Sequence, residues 1–172
     1  MHPWRKSEDA MAKRYFFGLM LAIAPAVFAL PEDRDQPIEI TADSAVINEK
    51  QSQAQYTGAV VVTQGTLKLE GDVVNLKTNE DGEVETFVAR GQPARFENLR
   101  RKTDQEPVKG RARVIDYSYD TDRVVLTGDA MITFEDSEFS GPEITYDLKS
   151  GEVTAAGSRS SRVNMTMQPK KK

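Results

Sequence analysis

The chain has no cysteine, one histidine and one tryptophan among its 172 residues. Without cysteine there is no disulfide framework, no thiolate metal site and no thiol nucleophile. His2 and Trp4 both lie ahead of the first apolar run. Once that leader is removed, a zinc enzyme with His ligands and a Ser-His-Asp hydrolase are excluded by composition. No apolar run reaches the ~20 residues that a membrane-spanning helix needs. Charge of one sign is lacking too: 23 basic and 27 acidic residues leave a net charge of −4 and a pI of about 5.2, which disfavours nucleic acid as a partner. A hydrophobic share of 38% is enough for a core, and the length fits one domain, or at most two small ones. A binding or structural protein is the class that survives these absences.

The first thirty residues read as an address. Lys13-Arg14 precede an apolar run from Tyr15 to Ala29 that ends in small residues, the layout of a signal peptide. Val27 and Ala29 suit positions −3 and −1, so cleavage is expected after Ala29, with Ala24-Pro25-Ala26 as a second site. Met11, directly before Ala12-Lys13-Arg14, is a more natural start than Met1. The expected organisation is a signal peptide over 1–29, a flexible polar leader over 30–36, a β-domain over 37–168 and a basic tail over 169–172. The product is exported, acidic and free of His and Trp.

Beyond the leader, period two dominates. Ile38-Glu39-Ile40-Thr41-Ala42-Asp43 and Ile115-Asp116-Tyr117-Ser118-Tyr119-Asp120 alternate as half-buried strands do. Ala54, Tyr56, Gly58, Val60 and Val62 share one face, as do Val124, Leu126, Gly128, Ala130, Ile132 and Phe134. Turn signals stand at Asn79-Glu80-Asp81-Gly82, Gly91-Gln92-Pro93, Thr121-Asp122, Gly141-Pro142 and Ser150-Gly151. Many short strands joined by polar turns predict an all-β sandwich, barrel or jelly roll.

Residues 38–76 align without a gap on 108–146. Ala42 falls on Ala112, Thr57-Gly58 on Thr127-Gly128, Thr63 on Thr133 and Gly71 on Gly141. Apolar positions match as well: Val62 with Ile132, Leu69 with Phe139, Val74 with Ile144, Leu76 with Tyr146. The offset of 70 is even, so both copies keep their inward and outward faces. This predicts one continuous β-structure of two similar halves.

Chemistry-bearing clusters are few. The pairs Glu80/Asp81, Asp120/Asp122 and Glu135/Asp136 fall on turns, where carboxylates are normally solvated, so a glycosidase pair is not the preferred reading. Asp33-Arg34-Asp35 is too short for a calcium loop and lacks a distal Glu. No catalytic, metal or cofactor site emerges. Arg95 with Arg100-Arg101-Lys102 either contacts an anion or is a solvated loop; Lys170-Lys171-Lys172 reads as a tail guarding a sheet edge. What remains is an inward aliphatic and aromatic row, either a dry core or a groove for an apolar ligand.

Asp35-Gln36-Pro37-Ile38-Glu39-Ile40-Thr41-Ala42-Asp43, Thr57-Gly58-Ala59-Val60-Val61-Val62-Thr63-Gln64-Gly65, Val125-Leu126-Thr127-Gly128 and Gly141-Pro142-Glu143-Ile144-Thr145-Tyr146 together resemble the LptA family, periplasmic lipopolysaccharide-transport proteins with an OstA-like domain. The resemblance runs from about Asp35 to Met167. Two positions depart from its pattern, Gly71 where Ala is common and Pro142 where Asp is common. Neither is expected to touch the inward row, and Pro142 removes a ladder donor, predicting an edge or bulge.

The resemblance implies a single antiparallel β-jelly roll, twisted, open-ended and with a hydrophobic interior groove. It implies a carrier, not an enzyme, with no cofactor, no metal and no nucleic acid. The acyl chains of lipid A would lie in the groove, lined by Ile38, Ile40, Phe96, Tyr117 and Tyr119; Val60, Val62, Leu126 and Ile132 join them on parity alone. Pro37 and Thr41 at one end, and Val163, Met165 and Met167 at the other, would form the edges of a head-to-tail homo-oligomer. That bridge would join an LptC-like inner-membrane component to an LptD-like outer-membrane barrel. The alternatives are an exported scaffold that assembles through its edges without lipid, and a hydrolase if a carboxylate pair converges in a cleft.

Overall fold

The computed structural model describes residues 33–99, 106–135, 137–158 and 161–167. The expected signal peptide and its cleavage site, Arg100-Arg101-Lys102 and the lysine tail lie outside them. Among these residues there are ten strands and two short 3-10 turns, Asp33–Asp35 ahead of the first strand and Glu49–Gln51 between the second and the third. They are β1 (Glu39–Thr41), β2 (Ser44–Asn48), β3 (Gln53–Gln64), β4 (Leu67–Thr78), β5 (Val84–Asn98), β6 (Val108–Ser118), β7 (Arg123–Phe134), β8 (Ser137–Asp147), β9 (Val153–Ala156) and β10 (Asn164–Met167). All belong to one antiparallel sheet in the order β1-β3-β4-β5-β6-β7-β8-β10, with β2 beside β3 and β9 beside β8. The sheet does not close: β1 and β2 form one edge, β9 and β10 the other. This is the all-β jelly-roll architecture that the alternating pattern and the resemblance predict.

One line of irregularities folds this sheet onto itself. Pairing slips between Thr57 and Val60, Glu70 and Val73, Arg90 and Ala94, Arg111 and Val114, and Thr127 and Ala130. Each bulge bends its strand and sharpens the local twist. The strand halves on either side of the line become two facing layers. One holds β2, β9 and the halves of β3 to β8 next to them; the other holds β1, β10 and the remaining halves. Phe96 in the second layer meets Tyr146 in the first edge-to-face, with centroids 6.4 Å apart. Gly91-Gln92-Pro93 and Gly141-Pro142, read above as turns, lie on this line inside β5 and β8. Their Gly and Pro residues interrupt the ladder rather than end the strand.

The repeat is structural. β3 and β7 share their bounds at the offset of 70, and so do the starts of β4 and β8. Among the described residues, each one with positive φ has its counterpart in the other half: Ser52 with Asp122, Gly58 with Gly128, Ala59 with Asp129, Gly65 with Glu135, Gly82 with Gly151. Gly58-Ala59 and Gly128-Asp129, at positive φ and outside the pairing, thus make the bulge, which begins right after the Thr that is identical in the two copies. Tracing the halves together, β1 and β2 stand where β6 stands, and β9 and β10 where β5 stands. Gly71 corrects one expectation. It pairs with Val60 on the inward side, and a methyl there would sit 2.8 Å from the Arg90 carbonyl oxygen.

Candidate functional site: the interior row and its two open edges

The predicted row is brought together between the layers. Val60, Val62, Phe96, Tyr117, Tyr119, Leu126 and Ile132 are all buried, and Ile38 and Ile40 are half-buried against the same cluster at the β1 edge. Alternation along β3 and β7 holds across their bulges, which is why parity found Val60, Val62, Leu126 and Ile132. In β6 the inward residues are Val108, Gly110 and Ala112, then Ile115 and Tyr117, a switch of parity at the bulge. Comparable switches hide Leu69, Val74, Phe87, Ile144 and Tyr146 from a strict period of two. The repeat carried the missing signal, since it aligns Val74 with Ile144 and Leu76 with Tyr146.

Aromatic rings follow one another along the interior. Phe87 and Tyr119 lie 6.0 Å apart, and Tyr117 and Tyr119 4.9 Å. Phe134 and Phe139 stack at 5.5 Å beside β10. Burial pushes both the Tyr117 and the Tyr119 phenol above the ordinary tyrosine range, which keeps them neutral. The middle of the interior is filled: Val62, Leu69, Phe96, Leu126, Ile132 and Ile144 expose no surface. At the β2 end a cleft of about 370 Å³ opens onto the inward side chains of Ile47, Ala54, Tyr56 and Leu76. A second cleft, of about 450 Å³, lies on the outward side of the same strands, where Val46, Gln55, Asn75 and Val88 form one cross-strand row. Among the described residues no three acidic or imidazole groups cluster as metal ligands would.

Each edge carries exposed apolar side chains. Pro37 ahead of β1 and Thr41 at its end are exposed; Val163 precedes β10, and Met165 and Met167 stand on it, 51% and 64% exposed. Sequence reasoning missed Val46 and Ile47 of β2, 69% and 67% exposed. In general, an unpaired strand edge offers its free backbone groups for pairing with another strand.

Two expectations at the open side of the fold need correction. Asp122, read as a solvated turn carboxylate, is buried and accepts from both Arg34 and Lys149, the latter at 2.8 Å. Residues 33–36, read as part of a flexible leader, are held there: Gln64 Nε2 donates to the carbonyls of Arg34 (3.0 Å) and Gln36 (2.9 Å).

Residues 39–152 match the family model described as LptA/(LptD N-terminal domain) LPS transport protein. The lipopolysaccharide export system protein LptH of Pseudomonas aeruginosa is 39% identical over 164 residues, covering 91% of this chain and 93% of the relative. The lipopolysaccharide export system protein LptA of Escherichia coli K12 is 35% identical over 152 residues, with coverages of 87% and 80%. Among solved structures, that of LptH from Pseudomonas aeruginosa, described as the LptA-homologous periplasmic component of the lipopolysaccharide transport device, superposes with a TM-score of 0.75 at 37% identity. It covers 81% of this chain and 100% of that one.

Proposed function

The chain belongs to the LptA/(LptD N-terminal domain) LPS transport protein family, a family of carriers and not of enzymes, and from that premise we propose that it is a periplasmic bridge that holds the acyl chains of lipopolysaccharide between its two layers. One observation carries this reading. An apolar row crosses the fold from the half-buried Ile38 and Ile40 at one edge to Phe139 at the other, where the exposed Met165 pairs with it. Burying one methylene is worth ~0.8 kcal/mol, so an acyl chain of about a dozen carbons gains roughly 10 kcal/mol inside such a row. The bulky glycan stays outside, along the side opposite the line of bulges. Ile38→Asp is expected to weaken lipopolysaccharide binding at least tenfold while the fold persists, because Ile38 is only half-buried. Unchanged affinity in the folded variant refutes the groove.

Head-to-tail assembly, the second part of the proposal, draws support from the repeat. Inside the chain, β6 pairs with β5 through Lys109 with Glu97, Gly110 with Phe96 and Arg111 with Arg95. β1 occupies the place of β6, and β10 that of β5. A second copy would therefore set Glu39 against Thr166, Ile40 against Met165 and Thr41 against Asn164, continuing the sheet across copies. The same edges would receive the LptC-like and LptD-like partners at the two ends of the bridge. Because the chain has no cysteine, Thr41→Cys with Asn164→Cys reports this register directly. Oxidation is expected to yield a ladder of disulfide-linked oligomers, and the pair Ala42→Cys with Asn164→Cys none. The filled middle of the interior favours the rival, an edge-assembling scaffold without lipid, which predicts the same ladder and no lipid binding.

A further inference from the structure

The two layers are joined on the open side by one compact set of side chains. Tyr119, beyond the end of β6, belongs to the rim of the first layer, and Gln64, at the end of β3, to the rim of the second. The Tyr119 hydroxyl donates to Gln64 Oε1, so the hydrogen bond spans the seam. Over it lies the 3-10 turn Asp33–Asp35. Its second-layer anchors are Gln64, which donates to the carbonyls of Arg34 and Gln36, and Asp33, which accepts from Thr66 and lies 3.5 Å from Asn98 Nδ2. Its first-layer anchor is Arg34. The guanidinium donates to the Tyr119 carbonyl and the Asp122 carboxylate, and its centre stands 5.1 Å from the centroid of the Tyr119 ring. Lys149, from the β8–β9 turn, holds Asp122 from the other side.

We propose that residues 33–36 form a strap that latches the seam through Arg34, and that lipid enters or leaves the interior only when this latch opens. The proposal rests on the carrier reading and adds to it the gate that the closed middle of the interior requires. Gly65 shows that the docking is specific. Its counterpart Glu135 adopts the same backbone conformation, so that conformation alone does not require glycine at this turn. A Cβ on Gly65 would stand 2.4 Å from Asp33 Oδ1, and the missing side chain is the space that the strap occupies. Arg34 is bonded to a buried carboxylate, yet its own side chain is 38% exposed. Such a bond is strong enough to bias the seam and weak enough to break on lipid contact.

The purified protein with Arg34→Cys and Asp122→Cys, joined by a short cleavable bis-maleimide, tests the gate in a single polypeptide. The tethered form is expected to take up lipopolysaccharide at least tenfold more slowly than the same protein after the linker is cut. Equal uptake by both forms overturns the strap and leaves the carrier reading standing. Hydrogen exchange in Arg34→Ala reads the latch without any lipid: amides of 64–67 and 119–122 are expected to exchange about tenfold faster than in the wild type. Unchanged exchange at both tips overturns the proposal. Failure of the cut form and the wild type alike to take up lipid overturns the carrier reading, and the exchange comparison then decides the strap.

Discussion

A filled interior reacts to a side chain made smaller and to one made larger, and two neighbouring positions allow both changes. Phe96 exposes no surface and packs against Tyr146, while Gly110, its partner across the β5–β6 ladder, faces Leu126. Truncating Phe96 to Ala removes a whole ring from a site without solvent contact, a change that costs about 3–5 kcal/mol. Gly110→Ala ordinarily stabilises a strand by about 0.4–1 kcal/mol through the unfolded chain. Here the new methyl would lie 2.7 Å from Leu126 Cδ2 and 3.5 Å from the Phe96 ring. Overpacking of that kind costs about 1–3 kcal/mol and reverses the sign. Urea unfolding followed by far-ultraviolet circular dichroism measures both. With an m-value of about 2 kcal/mol/M, Phe96→Ala lowers the midpoint by roughly 2 M and Gly110→Ala by roughly 0.5–1.5 M. A lumen that is loose or hydrated without lipid would give under about 1 kcal/mol for Phe96→Ala and a neutral or stabilising Gly110→Ala. That pair of results refutes the closed interior.

Other changes separate strain, charge and burial. Ala59 sits at φ 40°, so Ala59→Gly is expected to raise stability by about 0.5–1 kcal/mol in the same titration; a loss of that size contradicts the strain. Arg113 and Asp129 form an exposed pair, and Arg113→Ala should shift stability by less than about 1 kcal/mol. The Tyr117 and Tyr119 phenols titrate above their unfolded value because burial disfavours the phenolate. The stability they contribute is fully present below pH ~10 and is lost as pH rises beyond it. Thermal melts should be level between about pH 7 and pH 10 and fall above, less steeply in Tyr119→Phe; an identical slope in that variant argues against burial as the cause.

Period two and the repeat made the strand content legible, and the inward row with it wherever a bulge left alternation intact. Val60, Val62, Leu126 and Ile132 are such positions. Alternation broke down where the fold turns, because a bulge of one residue exchanges the faces of everything beyond it, as between Ala112 and Ile115. Gly91-Gln92-Pro93 and Gly141-Pro142 carry the composition of turns while lying inside long strands. Composition reports that the ladder is interrupted, not whether the chain reverses. Asp33 to Gln36 look like solvated leader because their partners, Gln64, Thr66, Tyr119 and Asp122, are distant in sequence and adjacent only once the layers fold together. The edge residues Val46 and Ile47 stood in an apolar run indistinguishable from a core strand, and only pairing on a single side reveals their exposure.

The central claim is that lipid lies on the inward face. Photocrosslinkers placed at positions 38 and 117, with outward position 116 as the control, test it most directly with purified protein and added lipopolysaccharide. Adducts at 38 and 117 and none at 116 are the expected result. Folded protein that yields no adduct at 38 or 117, or equal adducts at all three, contradicts an acyl-chain groove between the layers.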